Sequence, residues 1–142
     1  MPRLYREAPL NSIWEGSGNV ICLDILRALS RSPQTAQVLL QEINLAKGYH
    51  PQLDQKIQHV HTRLDQVLSE GIAEAQARSL GADLALALQG SLLARYAPHA
   101  VSDAFCMTRL DHHARVYGDF PTGVDTDEVL GSLRPIIEHA QL

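Results

Sequence analysis

The stretch NSIWEGSGNV, Asn11 to Val20, sets one carboxylate, Glu15, between the apolar pair Ile13 and Trp14 and a run of small residues. A carboxylate held against an indole is partly desolvated. Desolvation disfavours the charged form and lifts the pKa toward that of a working general base. Gly16 carries no side chain, so a bound molecule could approach the backbone there. The backbone N–H groups from Ser17 to Val20 open a helix and favour an acceptor or an anion. Together these groups could remove a proton next to a carbonyl. A second reading stands beside that one: a Glu ahead of a helix complements the helix dipole and need do no chemistry.

Other residues offer weaker chemistry. Arg3, Arg6, Arg27 and Arg31 gather near the chain start, and Arg27 and Arg31 share a helix face. Such a cluster could meet the phosphates of DNA. The competing reading is a solvated helix face, because Asp24 lies one turn from Arg27 and can pair with it. Asp111, His112 and His113 include adjacent His side chains that point in different directions on a helix, with no third ligand at a suitable spacing. His59 and His61 share the difficulty, so no metal site is expected. Cys22 and Cys106 lie inside apolar segments. They read as reduced core thiols of a cytoplasmic protein rather than as nucleophiles or a disulfide framework.

The elements that must position these groups all have the helical period, and no two-residue alternation competes with it, so the fold class is all-α. Residues 1–18 read as a short lead broken by Pro9, Gly16 and Gly18. Ser17 is placed to cap a helix from about Asn19 to Ser30 that is apolar nearly all round and should be buried on most faces. Ser32 and Pro33 restart the chain as cap and first helical residue, and Gly48 ends that second helix. A third stripe runs through Leu53, Ile57, Val60, Leu64, Val67 and Leu68. An Ala/Leu-rich helix spans Ile72 to Tyr96, with Gly81 and Gly90 where neighbours could come close. A fifth helix starts at Pro98 and reaches about Tyr117. Asp125 and Glu128 have capping-box spacing before a last stripe that Pro135 should kink. The expectation is a bundle of five or six helices, those around 57–68, 72–96 and 99–117 being antiparallel neighbours.

The chain has 142 residues, enough for one domain that buries roughly 68–70% of its unfolded surface. Its net charge is −4, so no global charge draws it to nucleic acid or anionic lipid. The charge is uneven: residues 1–31 hold four Arg against three acids, whereas residues 98–142 hold three Arg against seven. No apolar run approaches the roughly 20 residues needed to span a bilayer. The first residues do not read as a signal peptide.

REAPLNSIWEGSGNVICLDILRAL, Arg6 to Leu29, resembles the last conserved block of the flavin-dependent acyl-CoA dehydrogenases. In that family an Arg-acid-Ala tripeptide leads to aromatic-Glu-Gly-Thr/Ser and then to a long buried helix. More narrowly, YREAPLNSIWEGSGNV resembles the AidB branch, the DNA-alkylation-response flavoproteins. Residues from about Gln34 onward, including LLARYAP and AFCMTRLD, are similar in character to the helical extension of that branch. The resemblance implies that Glu15 is the base removing the α-proton of an acyl-CoA thioester, that Trp14 and Gly16 line the thioester site, and that Ser17 and Asn19 contact the adenine end of FAD. Asn19 stands where the broader family has Gln, a longer reach. The resemblance also implies that a basic surface including Arg27 meets double-stranded DNA, with Arg3 and Arg31 the further candidates from the charge cluster, and that the parent assembles as a homo-tetramer.

On this reading residues 1–31 end the dehydrogenase helical domain and residues 32–142 form the extension. The chain would be a C-terminal fragment that is inactive alone and does not retain FAD, since a base works only in a positioned, water-excluded site. A helical oligomerisation module, its apolar stripes completed by another subunit, is the remaining alternative.

Overall fold

The structure is a computed structural model; it describes residues 2–12, 18–70, 74–110 and 121–132. Among the described residues there are seven α-helices, two 3₁₀ turns and no strand. The helices are α1 (Pro2–Glu7), α2 (Gly18–Arg31), α3 (Gln34–Asn44), α4 (Pro51–Glu70), α5 (Ala77–Tyr96), α6 (His99–Arg109) and α7 (Thr126–Ser132). The all-α class read from periodicity is therefore the observed one. The count exceeds five or six because the lead forms its own short helix, α1, followed by a 3₁₀ turn over Ala8–Ser12.

Helix α5 is the central post, with α2, α3, α4 and α6 all packed against it. Side-chain pairs fix the directions. Asn19 meets Arg78 and Cys22 lies over Gly81, so α2 runs parallel to the first half of α5. Glu42 meets Arg95, which places the end of α3 alongside the end of α5. In α4, Leu53 lies against Gly90 while Arg63 reaches Ser79 and Asp83, so α4 returns antiparallel to α5, as the stripe and short connection suggested. Phe105 and Leu110 also approach Gly90, closing α6 back onto α5.

The core follows from the stripes. Leu53, Ile57, Val60, Leu64 and Val67 of α4 are buried, and Leu68 at the edge of the same stripe is exposed. They meet Ile43 of α3, Leu80, Leu84 and Ala87 of α5, Cys106 of α6, and Leu110 just beyond it. Buried polar groups are satisfied: the Ser91 hydroxyl donates to the Glu42 carbonyl at 3.3 Å and the Ser102 hydroxyl to the His99 carbonyl at 2.9 Å. Asp83 of α5 accepts from Lys56 at 3.1 Å and Arg63 at 3.0 Å, and its other contact is the His59 ring at 3.1 Å.

Local signals behaved unevenly. The Asp125 carboxylate accepts from the Glu128 N–H at 2.9 Å, which is the N-cap bond expected from their spacing. Helix α3 ends at Asn44 with Leu45 as its C-cap, short of the Gly48 expected to end it; Gly48 sits in the following turn with φ +90°, and its N–H donates to Asp54 at 2.8 Å. Ser32 does not cap α3, because its hydroxyl donates to the Gln34 side chain at 3.1 Å instead. Pro33 does take the helical conformation foreseen for it. The long Ala/Leu helix starts at Ala77 rather than Ile72: a 3₁₀ turn over Glu74–Gln76 comes first, and Gln76 makes no side-chain cap. The part of the fifth helix beyond Leu110 and the Pro135 kink lie outside the described residues.

One expectation is overturned. Helix α2 is not buried on most of its faces: Leu29 is its one buried residue, and Val20 and Ile21 remain 44% and 46% exposed. Among the described residues only α3 and α5 pack on it appreciably, so its far side has no cover.

A Cβ built at Gly90 would stand 2.9 Å from Leu53 Cδ1 and 3.4 Å from Leu110 Cδ1, both fully or nearly fully buried. Gly90→Val should therefore destabilise the fold by about 1–3 kcal/mol. Gly131→Ala, where a Cβ meets nothing within 4 Å, should be neutral or stabilise by up to about 1 kcal/mol. Urea midpoints of the two variants measure both.

Candidate functional site

Glu15, Trp14, Gly16 and Ser17 lie outside the described residues, so the base and thioester positions read from the motif carry no geometry. The described part is the helix after them and the surface along it. Asn19, one residue into α2, is exposed, and its Oδ1 accepts from the Arg78 guanidinium at 2.9 Å. Arg78 stands in the first turn of α5, where it was not foreseen as a site residue. No signal in the local sequence marks it, since the contact depends on α2 lying parallel to α5.

Two clefts run along this side of α2. One, of ≈ 360 Å³, is lined by Asn19, Leu23, Glu74, Ala75, Ala77 and Arg78. The other, of ≈ 290 Å³, shares Leu23 and Glu74 with the first and adds Leu26, Arg27, Ser30 and Arg31. From Asn19 to Arg31 the helix rises about 18 Å. A third groove of ≈ 310 Å³ lies between α2, α3 and α5. Its walls are apolar, including Ile25, Leu29, Leu39, Leu84 and Leu88.

The basic residues are not one patch. Arg3 pairs with Glu7 at 3.0 Å along α1. Arg27 pairs with Asp24 one turn away, the competing reading of that residue. Arg31 and Arg78 make no ion pair among the described residues. An exposed pair within one helix contributes little to stability, yet it does consume the guanidinium's best acceptor.

Among the described residues no group of three or more His, Cys, Asp or Glu side chains could hold a metal ion. Asp111, His112 and His113 lie outside them. His59 bonds Asp83 at 3.1 Å and His61 bonds Asn44 at 3.2 Å, so the two rings serve different contacts. No described helix is long and apolar enough to cross a membrane.

Among the described residues the chain is a helical bundle, and comparison with known proteins shows a similarity to an acyl-CoA dehydrogenase-like protein. It is 38% identical over 111 residues to the Escherichia coli (strain K12) protein named "Putative acyl-CoA dehydrogenase AidB", a match covering 78% of this chain. The same match covers 20% of that protein, so the chain spans about a fifth of the length of the relative. No family model matches the chain, and no solved structure matches it.

Neither cysteine forms a disulfide, and they differ in setting. Cys106 is 1% exposed, and burial, helped by the nearby Asp103 carboxylate, pushes its thiol from 9.0 up to about 11. A thiol that stays protonated at neutral pH is no nucleophile. Its raised folded-state value means that the folded chain keeps a proton the unfolded chain gives up. That contribution is present in full below pH 9 and is lost as pH rises toward about 11. At most about 2–3 kcal/mol is involved. Wild type should therefore lose stability over that window more steeply than Cys106→Ala, as read from denaturant unfolding at stepped pH.

Proposed function

We propose that this chain is the part of a FAD-dependent acyl-CoA dehydrogenase-like oxidoreductase that carries the catalytic base, with residues 1–31 bearing the motif and residues 32–142 an AidB-like helical extension. The observation that carries the reading is the 38% identity to an AidB protein over 78% of the chain. It is joined to the Trp14-Glu15-Gly16-Ser17 motif ahead of α2.

The fit to FAD is partial. The described cleft at Asn19 combines an amide, a guanidinium, a carboxylate and apolar walls, a donor set suited to one end of a dinucleotide. FAD, when bound in the whole protein, would supply the acceptor for the hydride leaving the β-carbon. Glu15 takes the α-proton of the acyl-CoA thioester, and the carbon–carbon double bond forms as the two hydrogens depart. The Glu15 backbone N–H donates to the thioester carbonyl and stabilises the charge that develops there. On this reading Trp14 would keep the carboxylate away from bulk water, and Gly16, lacking a side chain, would leave room for the thioester. Ser17 and Asn19 would hold the adenine end of the cofactor.

In an intact flavoprotein containing this segment, Glu15→Gln should lower the dehydrogenation rate by roughly 10²–10⁴-fold without changing flavin content. Unchanged turnover would remove Glu15 from the chemistry. DNA association has less support, because Arg3 and Arg27 are each paired along their own helix.

A second reading, a helical association module, is favoured by the uncovered side of α2 and by the apolar groove between α2, α3 and α5. It expects the chain to self-associate in sedimentation, with the weight-average mass rising with concentration. Leu39→Glu in the groove wall should reverse that rise, and a concentration-independent monomer would count against the module.

A further inference from the structure

The connection between α3 and α4 is closed by side chains that titrate. Pro51 opens α4 and has no N–H, so the first backbone donors of that helix belong to Gln52 and Leu53. The Gln52 N–H donates to His50 Nδ1 at 3.3 Å, and the Asp54 N–H donates to the His50 carbonyl at 3.0 Å. The Asp54 carboxylate reaches back and accepts from the Gly48 N–H at 2.8 Å. His50 thus stands where Ser, Thr, Asp or Asn usually caps a helix, with an imidazole nitrogen as the acceptor.

A ring nitrogen accepts only when it carries no proton. The bond therefore requires the neutral imidazole and puts its proton on Nε2. The half-buried ring makes no other hydrogen bond and no ion pair with a described residue. A proton taken up at Nδ1 turns the acceptor into a donor that confronts the Gln52 N–H. It also sets a positive charge at the start of a 20-residue helix, where the backbone N–H groups are already partly positive. Both effects have the same sign.

The charged groups on the packed elements do not reverse that sign. Glu42 of α3 is paired with Arg95 of α5, and His99 with Asp103 on α6. Lys56, further along α4, is held by Asp83 of α5. Lys47 in the turn and Arg109 at the end of α6 are exposed cations, which disfavour a further positive charge. Asp54 is the carboxylate left to attract an imidazolium. A surface pair of that kind contributes less than a capping bond, and Asp54 is already engaged by Gly48.

We propose that His50 is a proton-operated latch on the connection between α3 and α4. Neutral, its ring holds the first turn of α4 closed. Protonated, it lets residues 47–52 loosen between two buried anchors, Ala46 and Leu53, each 0% exposed. Leu53 lies against Gly90 of α5, so the opening stays local and the rest of α4 keeps its place. The latch makes no use of the flavoprotein reading.

The test is NMR of the full 142-residue chain between about pH 8 and about pH 5. At the upper limit the ring nitrogen shifts of His50 should show the Nε2–H tautomer, and the Gln52 amide should be protected from exchange. As pH falls through about 6.5, the Gln52 protection factor should drop about tenfold, while those of Ile57 and Val60 hold. His50→Asn keeps an acceptor that does not titrate, so its Gln52 protection should stay level across the range. Every other histidine is the same in the two proteins, so the difference belongs to position 50. His50→Ala should be as poorly protected at the upper limit as wild type is at the lower one. An Nδ1–H tautomer at the upper limit overturns the latch. So does Gln52 protection that stays level in wild type, or that falls equally in wild type and His50→Asn.

Discussion

Helix α5 has neighbours on four sides, and it can have them because two of its residues lack side chains. At Gly81 a Cβ would stand 2.9 Å from Cys22 Sγ; at Gly90 it would stand 2.9 Å from Leu53 Cδ1. Each glycine lets a side chain of the opposing helix sit on the α5 backbone, which sets a close interhelical distance and also a register. The register is what matters for the site. Cys22 over Gly81 puts Asn19, one turn earlier on α2, beside Arg78, one turn earlier on α5. A bulkier residue at position 81 would push the two helices apart and break that pairing. The cleft therefore depends on a packing contact that itself contains no polar atom except sulfur.

Polar contacts then fix what the glycines allow. Asp83 gathers Lys56 and Arg63, all three side chains only 14–16% exposed, and so ties the middle of α4 to the first half of α5. At the other end, Arg95 meets Glu42 of α3 and lies over the Tyr96 ring at 4.7 Å. The hydrogen bond from Arg95 to Glu42 raises the Arg95 pKa further, so the guanidinium stays charged throughout the working range. These contacts sit at opposite ends of α5 and hold different helices. Losing either should loosen one neighbour without releasing the other, since distant sites that share no partner act independently.

Much of this was legible in the residues. The α4 stripe from Leu53 to Val67 gave both the helix and its buried face, because a sustained 3.6-residue period has no competing reading. The close-approach role of Gly81 and Gly90 was legible too, since glycine inside an Ala/Leu-rich helix is unfavourable unless a neighbour needs the space. Helix starts were read less well. Ser32 looked like a cap but found Gln34, and the onset of α5 carries no capping side chain to read at all. The state of α2 was misread for a different reason: an all-round apolar pattern says that a helix needs cover, not that the chain at hand supplies it. Arg78 was invisible because its contact spans 59 residues and depends on helix direction, which local patterns do not encode.

The exposed side of α2 and the chemistry proposed for Glu15 meet in one physical requirement. A carboxylate becomes a useful base only where water is kept from it, and exclusion of water needs walls on more than one side. Among the described residues α2 is covered by α3 and α5 on one flank, while Val20 and Ile21, close behind the motif, face outward. Apolar side chains at that position lower the free energy of whatever chain packs over them, at about 25 cal/mol for each Å² covered. The same covering is what the base role proposed for Glu15 would require. If the proposed association and the proposed chemistry both need that cover, a polar substitution at Ile21 should impair both together, whereas Glu15→Gln should impair turnover alone.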